Sequence, residues 1–257
     1  DHMDILGKTL TEIARDKAGI IKPGIRVAVA RQPPEALTVY EHVIEETGAN
    51  GFYFGRDFEW TGNEESFEYR DPALIVTDLT LKTSGRHQRD NAAAAIQAGR
   101  LIDPTLTASQ IRERLANCVV PARQQLFKGD PDVLVDVAHN PASFRALGET
   151  LRSDYADRRI VAITGLMKDK DAQACYLHLQ GLVSQFLVVF MDNPRSYPAD
   201  ELSELLREIG FEATSVQNRD EAFAYLHGAN RHDLGLVAGS FYLAGDYLKW
   251  REHAGIA

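Results

Sequence analysis

"DVLVDVAHNPASFRALGETL", Asp132 to Leu151, decides how the second half of this chain is read. An apolar run over 132–138 reads as a buried strand, and a helix follows near 142–152. The rhythm then repeats. "RIVAITG" (159–165) precedes a helix over 171–183, and "FLVVFMD" (186–192) precedes one over 199–209. A helix near 219–227 follows a weaker strand, and "LGLVAGS" (234–240) leads into a last helix ending near 252. Apolar runs alternating with amphipathic helices predict an α/β fold: a doubly wound, mostly parallel sheet of Rossmann-like kind, with helices on both faces. Such sheets take ligands at the carboxyl ends of their strands.

Upstream of a boundary near "VVPARQ" (119–124) the pattern is different. A helix over Thr9–Ala18 stops at Gly19 and leads to a strand, "IRVAVA" (25–30). Pro33 and Pro34 open a helix running to Glu46. From Gly51 to Leu81, "GFYF", "SFEYR" and "LTLKT" read as a small sheet or meander. "DNAAAAIQAGRLI" (90–102) is helical by composition, and "TASQIRERLANC" (107–118) is a further helix capped by Thr107 or Ser109.

Composition narrows the class. The 257 residues are 44% hydrophobic and 25% charged, enough for one large or two ordinary domains with their own cores. A net charge of -9 without a basic run argues against nucleic acid. No apolar run approaches the ~20 residues that span a bilayer, and no signal peptide is visible. The 2 cysteines, Cys118 and Cys175, lack metal or redox spacing, which fits a reducing cytoplasm.

The strand-end loops carry the chemistry. Asp136, His139 and Asn140 follow the strand at 132–138, with Pro141 suited to the first helical turn. A carboxylate there can take a ribose hydroxyl or a cation, or Asp136 or Asn140 can simply cap the helix. "TGLMKDKD" sets Gly165, Lys168, Asp169 and Asp171 at the next strand end, "DNPRSYPADE" sets Arg195 and Ser196, and "AGSFYLAG" sets Gly239 and Ser240. Four such loops on one sheet edge point to a site. Gly7-Lys8-Thr9 resembles the end of a phosphate loop, but the first glycine of that motif would fall at His2, and no apolar strand precedes it. Thr9 reads instead as a helix cap. Lys17, in "DKAG", either meets the dipole at a helix end or is an amine buried enough to be neutral.

Together these residues resemble the folylpolyglutamate synthase/dihydrofolate synthase family of Mur ligases. "DHMDILGKTLTEIARDKAGIIKPG", "GRHQRDNAAAA", "PARQQLF", "DVAHNPAS" and "GSFYLAG" follow the family's blocks in order from Asp1 to Gly245. Asp16 stands where the family has glutamate, and Ala122 where it has the glycine of P-G-R. The resemblance implies residues 1–120 as the remainder of a central α/β ATPase domain and 121–257 as the C-terminal domain. It implies an ATP-dependent amide ligase that adds L-glutamate to dihydropteroate or to a folate polyglutamate tail through an acyl phosphate. ATP and Mg2+ are the cofactors it implies, a monomer the expected state, and small molecules the partners, with no nucleic acid or membrane. His2 matches a magnesium-binding histidine. Lys17 matches a lysine that is carbamylated in the family, turning a cation into a metal-facing anion. Asn91 matches the residue at the adenine end of ATP, Arg123 an ATP-binding arginine, and Asp136 a nucleotide-binding carboxylate. His139 and Ser240 match positions facing the cleft where ATP and glutamate meet. The family's phosphate loop, its glutamate ligand for magnesium and most of its folate pocket precede the first block, so this chain alone is expected to turn over negligibly. The alternatives are a non-catalytic nucleotide- or partner-binding remnant, and a sister Mur ligase using another amino acid.

Overall fold

Thr9 opens the described part of the chain by capping helix α1 (Leu10–Ala18). Its hydroxyl accepts from the Glu12 N–H while Glu12 reaches back to the Thr9 N–H, a reciprocal capping box that makes Thr9 a helix start. The computed structural model describes residues 9–63, 65–83, 85–228 and 234–256. His2, Gly7 and Lys8 therefore lie outside the described residues. Two compact units change over between Cys118 and Val119, apart from Thr83–Gly85, which group with the second.

In the first unit, Ala14 and Ala18 of α1 share a core with Ile21, with Val29 of strand β1 (Arg26–Val29), and with Ala36, Val39 and Ile44 of α2 (Pro34–Thr47). β1 pairs in parallel with β2 (Asn50–Tyr53), from Arg26 opposite Asn50 to Val29 opposite Tyr53. The "GFYF" segment thus belongs with β1 and not with the meander that its neighbours form. A separate antiparallel sheet holds β3 (Glu59–Gly62), β4 (Phe67–Asp71) and β5 (Leu74–Leu79) in that order. The β3 stretch, "EWTG", carries too few apolar residues to have been read as a strand. At Gly62, with φ +126°, a Cβ would lie 2.6 Å from the Ser66 carbonyl, so the β3–β4 turn requires glycine.

Phe67, Tyr69, Val76 and Leu79 form the buried face of this sheet and pack against Ala92, Ala93 and Ile96 of α3 (Arg86–Ile102) and Ile111 of α4 (Ala108–Asn117). α3 begins at Arg86, four residues before the alanine-rich run suggested. Thr107 caps α4 through a second capping box with Gln110. A polar cluster locks sheet to helix. The Tyr69 hydroxyl lies 2.5 Å from Gln97 Oε1 and 3.0 Å from Asp71 Oδ2, and Arg100 Nε donates to that same Asp71 oxygen at 2.7 Å. Asp71 Oδ1 meanwhile accepts from the Ala73 and Leu74 N–H groups, both at 2.8 Å, and so shapes the β4–β5 turn.

The second unit is the expected α/β domain. Its strands are β6 (Gln125–Phe127), β7 (Asp132–Val135), β8 (Ile160–Thr164), β9 (Val183–Val189), β10 (Ala213–Val216) and β11 (Leu234–Ala238). They form one sheet in the order β10-β9-β8-β11-β7-β6, parallel except for β6, which runs antiparallel to β7. The connecting helices are α5 (Pro141–Asp154), α6 (Ala172–Tyr176), α7 (Ala199–Glu208), α8 (Arg219–Leu226) and α9 (Phe241–His253). Alternate strand residues sort to opposite faces. Leu134, Ile160, Ala162, Phe186 and Leu236 pack against α5, α6 and α7, while Val133, Val135, Val161, Ile163 and Val237 pack against α8 and α9. Phe144, Leu147 and Leu151 of α5 are fully buried, each contributing about 1.5–3 kcal/mol of apolar burial. The helix expected over 171–183 is shorter: α6 ends at Tyr176, a 3-10 turn covers Leu177–Leu179, Gly181 takes φ +75°, and β9 already begins at Val183. Among the described residues no helix is long and apolar enough to cross a membrane.

Candidate functional site

β7 ends at Val135, and the next residue, Asp136, is only 6% exposed. Its carboxylate is engaged on both oxygens: Oδ1 accepts from the Ala138 N–H at 2.6 Å and Oδ2 from the Gln124 N–H at 2.9 Å. Burial pushes its pKa up to about 6, against the opposing pull of those two bonds and of the nearby Arg123 and His139 charges. Asp136 thus staples the segment before β6 to the segment after β7. A ribose hydroxyl reaching it would add a further bond to oxygens already in use.

Arg123 rises from that stapled segment. The residues flanking it, Ala122 and Gln124, both have left-handed backbone, φ +53° and +47°. The Arg123 guanidinium carbon lies 5.2 Å from the ring centroid of Phe241, within cation–π range. The His139 ring also lies 5.2 Å from Phe241, tilted by 55°, and its Nδ1–H donates to the Val137 carbonyl at 2.8 Å. Phe241, 52% exposed at the start of α9, lies beside both Arg123 and His139.

Two helix starts lie at this sheet edge. Asn140 caps α5, its Oδ1 accepting from the Ser143 N–H at 2.9 Å, and the Ser143 hydroxyl oxygen accepts from the His139 and Asn140 N–H groups. Ser240 caps α9, its hydroxyl accepting from the Tyr242 N–H at 3.1 Å, and it is 3% exposed. Gly239 beside it has φ +124°, and a Cβ there would lie 2.5 Å from the Gly165 carbonyl and 2.7 Å from Thr164 Oγ1. The carboxyl ends of β8 and β11 therefore close up so tightly that only glycine fits.

The remaining loops are used structurally. Asp171 caps α6 through the Ala174 N–H. The Lys168 N–H donates to the Arg195 carbonyl at 2.7 Å, and Met167 bridges to Ser196, tying the loops after β8 and β9 together. Lys168 reaches Glu201 at 3.6 Å and Lys170 reaches Asp169 at 3.2 Å.

In the first unit, Lys17 is exposed in the last turn of α1, where its charge meets the helix dipole. Asn91 is exposed on α3, its Nδ2 3.5 Å from Gln88 Oε1. His2 lies outside the described residues. Among the described residues no three His, Cys, Asp or Glu side chains converge as a metal cradle. A depression of about 460 Å³, to which the sequence reading gave no task, is lined by Trp60, Thr61, Gly62, Asn63, Arg86 and Arg89, the two arginines standing in the "GRHQRDNAAAA" block. The Arg86 and Arg89 guanidiniums lie 5.8 and 5.3 Å from the Trp60 ring, whose Nε1 donates to Asp90 at 2.8 Å. The second unit added Gln124, Thr150 and Phe241. Phe241 stood inside a recognised block but had no assigned task, and Thr150 is a mid-helix residue without a motif.

Residues 122–241 match the family described as Mur ligase, glutamate ligase domain. The chain is 30% identical over 97% of its length to the dihydrofolate synthase/folylpolyglutamate synthase of Bacillus subtilis, covering 60% of that protein. It is 31% identical over 95% of its length to the folylpolyglutamate synthase of Lacticaseibacillus casei, covering 58%. Among solved structures it superposes on Escherichia coli FolC in complex with ADP, without folate substrate, at a TM-score of 0.86 and 25% identity, covering 100% of this chain and 61% of that one. The chain thus spans about three fifths of the length of the relatives it matches.

Proposed function

We propose that the chain is part of a folylpolyglutamate/dihydrofolate synthase of the Mur ligase family, in keeping with the glutamate ligase domain match at residues 122–241, and that it handles nucleotide and glutamate in ATP-dependent amide ligation. In that reaction a carboxylate of dihydropteroate or of a folate glutamate tail attacks the γ-phosphorus of ATP, and ADP leaves. The resulting acyl phosphate is attacked at its carbonyl carbon by the amine of L-glutamate. The amine loses a proton, inorganic phosphate leaves, and an amide remains. Each step moves negative charge, so cations and N–H donors fixed in advance are the main catalytic resource.

Residues 1–120 are assigned as the remainder of the central ATPase domain and 121–257 as the C-terminal domain. Arg123 offers a planar fork to phosphate oxygens. Asp136 holds the Arg123 segment and adds an acceptor for a sugar hydroxyl. His139 stands at the same edge, where the helix starts at Asn140 and Ser240 favour negative charge. Asn91 is assigned to the adenine end. Magnesium would screen the phosphates when bound. Lys17, as a carbamate, and His2 are the residues this chain would bring to it, with any further ligands coming from elsewhere in the enzyme. Two free thiols, Cys118 and Cys175, suit a reducing cytoplasm.

The single observation that supports this reading most strongly is Arg123 on a stapled turn, lying against Phe241 together with His139. The test is ADP binding to this chain by calorimetry. Arg123→Ala should weaken ADP about 10-fold or more, as expected for a charge-assisted phosphate contact. Equal affinity in the variant would remove Arg123 from the nucleotide site.

A further inference from the structure

Arg123 stands between two residues that are buried and left-handed, a backbone that side-chain-bearing residues adopt only when their surroundings hold it. Hydrogen bonds supply that hold. The Ala122 N–H donates to Gln125 Oε1 at 3.0 Å, and the Val137 N–H donates to the Ala122 carbonyl at 3.0 Å. Gln124, 2% exposed, donates its N–H to Asp136 and places its side-chain oxygen 2.9 Å from Thr150 Oγ1. Thr150 lies in the middle of α5 and is 3% exposed. The Thr150 hydroxyl therefore fastens the turn to a helix on the buried side, while Arg123 lies against Phe241 on the exposed side.

We infer that Gln124 and Thr150 are positioning residues for the nucleotide phosphates, locking the left-handed turn that holds Arg123 against Phe241. This rests on Arg123 being a nucleotide contact. The Thr150 hydroxyl donates to the Gln124 side-chain oxygen, so removing it leaves a buried amide without that bond. The amide regains a partner by turning out to water, which it can do only by undoing the turn. Arg123 then leaves the ring. A charged side chain that must be reordered on binding gives weaker affinity than one already in place.

The experiment is a double-mutant cycle on the whole chain. Thr150→Val keeps the shape and deletes the hydroxyl. Thr150→Ser keeps the hydroxyl and reports on folding. ADP affinity is measured in both, in Arg123→Ala, and in Arg123→Ala with Thr150→Val. Phe241 ring resonances are followed by NMR without ligand. The expected result is about a 5-fold loss of ADP affinity in Thr150→Val, restoration in Thr150→Ser, and no further loss when Thr150→Val is added to Arg123→Ala. The ligand-free Phe241 signals should shift in Thr150→Val as they do in Arg123→Ala. An unmoved Phe241 signal in Thr150→Val, or an equal loss of affinity with and without Arg123, overturns the inference. If Arg123→Ala leaves ADP binding intact while Thr150→Val still moves the Phe241 signals, the nucleotide reading of Arg123 fails and the positioning of its side chain stands.

Discussion

Asp136 shows how little a residue's type says about its task. A strand-end carboxylate could meet a sugar, meet a cation or cap a helix, and its oxygens in fact hold two backbone N–H groups from different segments. Its pKa, about 6 in the fold against an ordinary 3.8, sets a sign. Between about pH 4 and 6 the native chain holds a proton that the unfolded chain has released. This residue's contribution to stability therefore falls as pH rises through that window, by roughly 3 kcal/mol at about 1.4 kcal/mol per pH unit, and is flat above it. A carboxyl-carbon NMR titration should find the Asp136 midpoint near 6. Arg123→Gln should move it higher, because the arginine charge opposes the rise. A midpoint near 4 in both proteins would mean that water reaches this carboxylate. Ala122 also belongs at this scale. The glycine that its motif usually carries is explained by φ +53°, a conformation invisible in the letters "PAR".

At the scale of elements, local chemistry was legible and pairing was not. Thr9 caps the helix it was expected to cap, and of the two candidates Thr107 and Ser109 it is Thr107 that caps α4, because a capping box needs only residues three apart. The partner of β2 is β1, separated from it by a whole helix, and nothing local in "GFYF" distinguishes a parallel neighbour from an adjacent hairpin strand. The shortness of α6 likewise follows from Gly181 and the early start of β9, where periodicity alone extended the helix. The start of α5 gives a test. Asn140 is the cap, so Asn140→Ala should lower stability in a urea melt by about 1 kcal/mol. No measurable change would mean that Pro141 and Ser143 hold this helix start without it.

Across the whole molecule, the alternating pattern beyond residue 120 was enough to specify a parallel sheet with helices on both faces, because strands buried on both sides must be apolar throughout. The same pattern put Asp136, His139, Asn140 and Ser240 at one sheet edge. It could not show that Thr150 reaches Gln124 across 26 positions, since contacts of that range depend on how a helix face meets its sheet. Lys17 is exposed on α1, and the proposed carbamate role makes a sharp prediction for the proposed ligase. Carbon-13 bicarbonate should label its amine, and Lys17→Ala should abolish the label and lower turnover, with added bicarbonate restoring nothing. Full activity of Lys17→Ala at saturating magnesium would end that assignment.

Asp71 gives the first unit a property that its surface conceals. The tip between β4 and β5, with Pro72 and Ala73 facing solvent, looks like a convenient place to open the chain or graft a peptide. The carboxylate that folds this tip also grips Arg100 and Tyr69, so the bend and the seating of the long helix stand or fall together. An insertion at this corner would loosen the helix that carries Asn91, and protein engineers should choose another site.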